Sequence, residues 1–250
     1  MEQLSAGMDA SVGAVVAKNA YAGHFSIERN TFIMQFTESG QTLELNVQHL
    51  YVAGWTGRNR EAVDHHIQEL ADIGIKPPSA VPLYYRVSND LLTQSPHIEV
   101  LGEATSGEAE PFLIQQNGQI WIGLASDHTD RELEAYSVAA SKQACAKPVS
   151  SALWTYSSVE DHVDALTLSC TIEEDGDWVI YQEGSLANIS PLATLMSASG
   201  FGDNAAMLCG TLSAKGGVRT AQHYKMELSD PVLNRTLQLE YKVDPLPIVS

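Results

Sequence analysis

The sequence predicts a β-rich α+β domain, a rolled or barrel-like mixed sheet with a few flanking helices. Three observations carry this. Runs in which apolar and polar residues alternate recur along the chain, the period of half-buried strands. Turn chemistry separates them, at Glu38-Ser39-Gly40, in the EEDGDW segment and at Asp230-Pro231. Helical spacing appears only in a few scattered segments. A chain of 250 residues can build one large domain with a substantial core, and 44% hydrophobic with 18% charged residues marks a globular chain.

Taken in order, residues 1–20 are small and weakly patterned and read as a flexible N-terminal tail. Residues 21–49 form a short N-terminal β segment, and 50–250 the main domain. HFSIERNTFIMQFTESGQTLELNVQHLYVAGW alternates as short antiparallel strands up to a Gly54–Gly57 loop. REAVDHHIQELADIGI then has a helical face of Val63, Ile67, Leu70 and Ile73, with Gly74 as its stop and prolines beyond. LYYRVS and HIEVLG are strand candidates. RELEAYSVAASKQACA reads as one helix halted near Pro148. Residues 164–182 alternate as a hairpin, SPLATLMSASGF suggests a short helix, and AAMLCGTLSAKGGV an apolar strand entering a glycine-rich loop. TAQHYKMELSD and NRTLQLEYKV finish as paired strands.

A net charge of −17 argues against nucleic acid and anionic membrane surfaces as partners, because both are recognised by basic patches. No apolar run approaches the roughly 20 residues of a membrane span. The N-terminus lacks the basic and long apolar regions of a signal peptide, so the expected location is the cytoplasm. If the ligand is acidic, the few cations must concentrate at its site, which draws attention to Arg58, Arg86, Arg131 and Lys142. Cys145, Cys170 and Cys209 are widely spaced and read as buried small hydrophobes.

The chemistry centres on Thr105 to Lys142. Glu108 and Glu110 are two apart, so on an extended strand both point to one face. Asp127 closes the apolar run GQIWIGLAS on the adjacent strand and can complete a three-carboxylate set, the oxygen donors that hard divalent cations require. An ExE pair alone is more often two exposed residues of an edge strand. His66 and Glu69 are three apart on the helix, where a carboxylate can orient an imidazole; a solvated helix face has the same spacing. Gly210-Thr211 opens the CGTLSAKGG loop, where glycine admits close backbone approach and threonine offers a hydroxyl. Gln182 places an amide at a strand end.

In order, these segments resemble the fumarylacetoacetate hydrolase superfamily, and within it an uncharacterised branch, DUF2848. The similarity runs from about residue 50 to 247. It rests on Gly57-Arg58-Asn59 before the His66/Glu69 pair, Tyr85 and Arg86 in LYYRVS, the ExE pair, SDHTDRE, Lys142 before Pro148, YQEG, and CGTLSAKGG. The longer spacing after Asn59 leaves His65 as an alternative to His66. The resemblance implies a fumarylacetoacetate hydrolase-like fold, a homodimer, and one Mg²⁺ or Mn²⁺ per site held by Glu108, Glu110 and Asp127. It implies a small acidic 2-oxo acid as substrate, with C–C hydrolysis or decarboxylation through a metal-stabilised enolate. His66, Glu69 and Lys142 would be the catalytic residues. Arg58, Tyr85, Arg86, Gln182, Gly210 and Thr211 would contact substrate. An isomerase or dehydratase of related acids, or a non-catalytic acid-binding protein on the same fold, is the alternative.

Overall fold

A computed structural model describes residues 32–72 and 77–249 of the chain. Its strands are β1 (Ile33–Glu38), β2 (Gln41–Asn46), β3 (His49–Gly54), β4 (Leu83–Val87), β5 (Leu92–Thr93), β6 (His97–Leu101), β7 (Thr105–Ser106), β8 (Ala109–Gln116) and β9 (Gln119–Ser126). Then follow β10 (Thr129–Asp130), β11 (Lys147–Pro148), β12 (Trp154–Thr155), β13 (Thr167–Glu174), β14 (Asp177–Ser185), β15 (Ala205–Leu208), β16 (His223–Asp230) and β17 (Arg235–Leu246). The α-helices are α1 (Arg60–Asp72), α2 (Arg131–Glu134), α3 (Val138–Ala144) and α4 (Leu192–Ser199).

Two larger sheets organise these strands. One runs β12-β9-β8-β15-β3-β4 and the other β14-β13-β16-β17-β6. Each holds one parallel pair among antiparallel ones, β15 with β3 and β17 with β6, so both are mixed. Among the described residues the sheets are open and do not close into a barrel; the β-rich α+β expectation otherwise holds.

The strands follow from alternation. On β8, Ala109 and Leu113 enter one apolar cluster while Phe112 and Ile114 enter another. The first cluster joins the two large sheets; the second lies on the opposite face of the six-stranded sheet, beneath the β1–β2 hairpin, which contributes Met34, Phe36 and Leu45. Residues before and after position 50 therefore share one core. Glu108 and Glu110 continue the alternation of Phe112 and Ile114, which aims both at the second face.

The segment after Asp127 departs from the single helix expected over RELEAYSVAASKQACA. Asp130 accepts from the Leu133 amide at 2.9 Å and caps α2. Ser137, extended at φ −159°, accepts from the Ala140 amide at 3.3 Å and starts α3. Two caps seven residues apart make two short helices, because each serine or aspartate side chain satisfies an amide that a continuous helix would bond internally. The three cysteines are free and buried, as expected.

Candidate metal centre

Antiparallel register brings the carboxylates together. β8 and β9 turn at Asn117-Gly118, both at positive φ, the signature of a tight hairpin. Across it Ala109 faces Ser126, and the Asp127 amide donates to the Glu108 carbonyl at 3.0 Å. Glu108, Glu110 and Asp127 thus each offer an oxygen within 4.8 Å of the others. Glu110 and Asp127 are buried and Glu108 nearly so.

Each carboxylate has its own support. The Arg131 guanidinium lies 3.2 Å from Glu108 and also binds Glu134 and the Ser106 hydroxyl. Glu110 accepts from the Gly210 amide at 2.7 Å. A side chain at Gly210 would strike Thr56, its Cβ falling 1.7 Å from the Thr56 hydroxyl, and the backbone there has φ +95°. Only glycine lets this amide reach the carboxylate. Asp127 receives two ammonium groups: Lys142 bonds one oxygen, and Lys147 stands 3.1 Å from the other.

Where β15 ends at Leu208, the following loop takes over its neighbour. Ala109, between the two glutamates, donates its amide to the Gln182 carbonyl oxygen at 2.9 Å, and its carbonyl accepts from the Thr211 hydroxyl at 2.7 Å. The Gln182 amide nitrogen donates to Thr211 and to the Leu212 carbonyl. Gln182 and Thr211 therefore clamp the ExE segment, and every polar atom of the Gln182 side chain is engaged within the protein.

The electrostatics divide the cluster. Burial pushes the Glu110 carboxyl well above its usual range, and the neighbouring Asp127 charge adds to this. Burial acts on Asp127 the same way, but Lys142 and Lys147 outweigh it and hold that carboxyl well below the usual range. Burial would lower Lys142, yet Asp127, Glu108 and Glu110 keep it raised and charged. For Lys147 burial prevails and the ammonium is lowered. Behind Asp127, His128 lies between the Tyr241 hydroxyl at 3.0 Å and the Thr105 hydroxyl at 2.9 Å. Burial first, then Lys147 and Arg131, bring its pKa down to about 3, so it is neutral.

The donor set fits a hard divalent cation. With Glu134, which shares Arg131, four carboxylates meet three cations. One oxygen of the wholly buried Asp127 has only the Lys147 ammonium, 3.1 Å away and poorly aligned for a hydrogen bond, so a lone pair is open to a further ligand.

The other expected site residues fall in four places. Tyr85 lies beside the cluster, its ring centroid 5.8 Å from the Lys142 ammonium. Arg86, its strand neighbour, points to the opposite face, stacked 4.4 Å over Tyr51 and bonded to His49. That follows from alternation: adjacent residues of one strand cannot share a face. Arg58 is away from the triad, in a two-point pair with Asp164 at 2.6 and 2.7 Å and bonded to the Ile189 carbonyl. His66 and Glu69 lie on α1, and their side chains fall outside the described part of the structure. Lys147 and His128 escaped the sequence reading. Lys147 sits on a two-residue strand placed by its parallel pairing with β5, a contact with no local pattern.

The family model described as "Protein of unknown function (DUF2848)" matches residues 53–241. A search of curated proteins returned no match. Among solved structures, a Burkholderia cenocepacia protein assigned as a fumarylpyruvate hydrolase is similar, with a TM-score of 0.59 at 15% identity over 99% of this chain and 100% of that one. A Pseudomonas aeruginosa fumarylpyruvate hydrolase in complex with Mn²⁺ and pyruvate gives 0.54 at 15% identity, covering 86% and 97%. A 2-keto-3-deoxy-D-arabinonate dehydratase complexed with magnesium and 2,5-dioxopentanoate gives 0.51 at 14%, covering 82% and 77%. At such identities these likenesses speak for the fold. The family match establishes that this chain belongs to the DUF2848 family, and its fold is shared with fumarylpyruvate hydrolase and 2-keto-3-deoxy-D-arabinonate dehydratase structures.

Proposed function

We propose that the protein is a divalent-metal-dependent enzyme that breaks a C–C bond in a 2-oxo acid, by acylpyruvate-type hydrolysis or by decarboxylation of a β-carboxylate. The single observation that carries this reading is the triad: three carboxylates from two paired strands within 4.8 Å, two of them buried, beside a buried lysine. Relatives of the same fold with Mn²⁺ and pyruvate, or magnesium and 2,5-dioxopentanoate, support the choice of Mg²⁺ or Mn²⁺ and of a 2-oxo acid.

A bound divalent cation would supply Lewis acidity toward the adjacent carboxylate and keto oxygens of such an acid. Glu108, Glu110 and Asp127 would hold it. Lys142 stays protonated beside Asp127 and offsets negative charge that develops on the substrate, acting as a fixed cation rather than a base. Gln182 and Thr211 keep the ExE strand in place, and Tyr85 borders the substrate. His66 would take a proton from the attacking water or return one to the carbon left by the departing group, with Glu69 as its expected partner. The homodimer and a cytoplasmic location belong to the same proposal; among the described residues no helix is long and apolar enough to cross a membrane.

The test is turnover of an acylpyruvate panel, and of a 2-oxo acid with a β-carboxylate, by Mg²⁺- and Mn²⁺-loaded protein, with chelated protein alongside. The reading predicts metal-dependent release of pyruvate or CO₂ and loss of turnover in His66→Ala. Metal and 2-oxo acid binding without turnover would instead favour a non-catalytic acid-binding protein. Loss of water from a 2-keto-3-deoxy acid would favour a dehydratase, as in the related structure.

A further inference from the structure

Trp55 has a backbone conformation its type rarely takes. Its φ is +59°, in the left-handed region where a bulky side chain is strained. Bulky residues persist there only where the surroundings over-determine them, commonly at ligand sites. What surrounds Trp55 here is the edge of the carboxylate cluster. Its indole lies within interacting reach of the side chain of Tyr85, the tyrosine whose ring faces Lys142. Gly54, immediately before it, leaves room for that ring: a Cβ there would lie 3.0 Å from the Tyr85 ring edge. Thr56, immediately after it, packs against Gly210, whose amide holds Glu110. Three consecutive residues of one turn thus touch Tyr85 or the support of the triad, and Trp55 and Tyr85 both stay partly exposed.

The charges around this pair are equally specific. The two segments that carry Trp55 and Tyr85 contain three arginines, Arg58, Arg60 and Arg86. Arg58 is paired with Asp164 and Arg60 with Asp64, and Arg86 points to the other face of its strand. Lys142 is committed to Asp127. Each of these four cations is thus paired with a carboxylate or turned away from the aromatic pair.

We propose that Trp55 is a specificity-determining residue: with Tyr85 it forms an aromatic wall that selects 2-oxo acids bearing one carboxylate and a flat, apolar tail, and disfavours dicarboxylates. The inference rests on the metal-dependent 2-oxo acid reading above. Stacking a planar tail on the indole uses a surface the strained turn holds ready.

The test is calorimetric titration of Mg²⁺-loaded, full-length protein with three probes: oxalate, which has no tail, phenylpyruvate and 2-oxoglutarate. Wild-type protein is expected to bind phenylpyruvate at least tenfold more tightly than 2-oxoglutarate. In Trp55→Gly, which removes the ring and relaxes the left-handed turn, the ratio of phenylpyruvate to oxalate affinity falls at least tenfold. In Trp55→Phe, which keeps an aromatic ring, most of that ratio returns. Equal wild-type affinity for phenylpyruvate and 2-oxoglutarate, or an unchanged ratio in Trp55→Gly, overturns the aromatic wall while leaving the 2-oxo acid reading in place. Failure of wild-type protein to bind oxalate with Mg²⁺ overturns that reading, and the wall with it.

Discussion

Asp127 and Glu110 share one cluster yet are driven in opposite directions, and this has a measurable consequence. Asp127 is held below the usual range, so its ion pairs stabilise the fold above the ordinary aspartate range and are lost as pH falls toward its lowered value. Glu110 is raised by burial, so the metal-free protein loses stability as pH rises from the ordinary glutamate range through its raised value. A divalent cation requires the ionised form and reverses the second effect. Thermal melts across pH are therefore expected to show a Mg²⁺-dependent gain in midpoint that grows as pH rises through the raised Glu110 value. A gain independent of pH would contradict this account. The glutamate pair was legible from the sequence because a spacing of two places both side chains on one strand face, and Asp127 because it ends the next apolar run. Lys147 and the left-handed backbone of Trp55 were not, since each depends on partners distant in sequence.

At the scale of elements, the ExE segment is held by β9 on one side and, on the other, by a loop and Gln182 of β14 in place of a sheet neighbour. Gly210, Thr211 and Gln182 occupy the side of β8 that β15 leaves uncovered beyond Phe112. Gly210→Ala brings a Cβ against Thr56 at a positive φ, and it is expected to cost about 3 kcal/mol in denaturant unfolding and to weaken Mg²⁺ binding as well. Wild-type stability and affinity in that variant would show the loop amide to be dispensable. Ser137→Ala removes the cap of the helix that carries Lys142, with an expected loss of about 1 kcal/mol by the same measurement. The glycine-threonine segment was visible in the sequence as a possible contact, but its clamp on Ala109 was not. The helix break was written locally in Asp130 and Ser137, and reading RELEAYSVAASKQACA as a continuous helix overlooked those caps.

At the scale of the whole molecule, the site lies on the face of the six-stranded sheet that the N-terminal hairpin helps to cover. Phe36 of that hairpin is buried among Leu50, Phe112 and other residues of the central strands. Phe36→Ala is expected to cost about 3–5 kcal/mol and to destabilise the metal-free domain as one cooperative unit. A separate early transition for the hairpin would contradict that. The fold class was legible because alternation and turn residues are local signals. Strand order was not: β3 pairs with β15 through contacts that span more than half of the chain, and no periodicity reports them.

The central claim, that Glu108, Glu110 and Asp127 form one divalent-metal site, is tested most directly by calorimetric titration of chelator-stripped protein with Mg²⁺ and Mn²⁺. The account predicts one site per chain, with affinity reduced by at least roughly 100-fold in Asp127→Asn and in Glu110→Gln. No binding by the wild-type protein, or unchanged affinity in both variants, would contradict it.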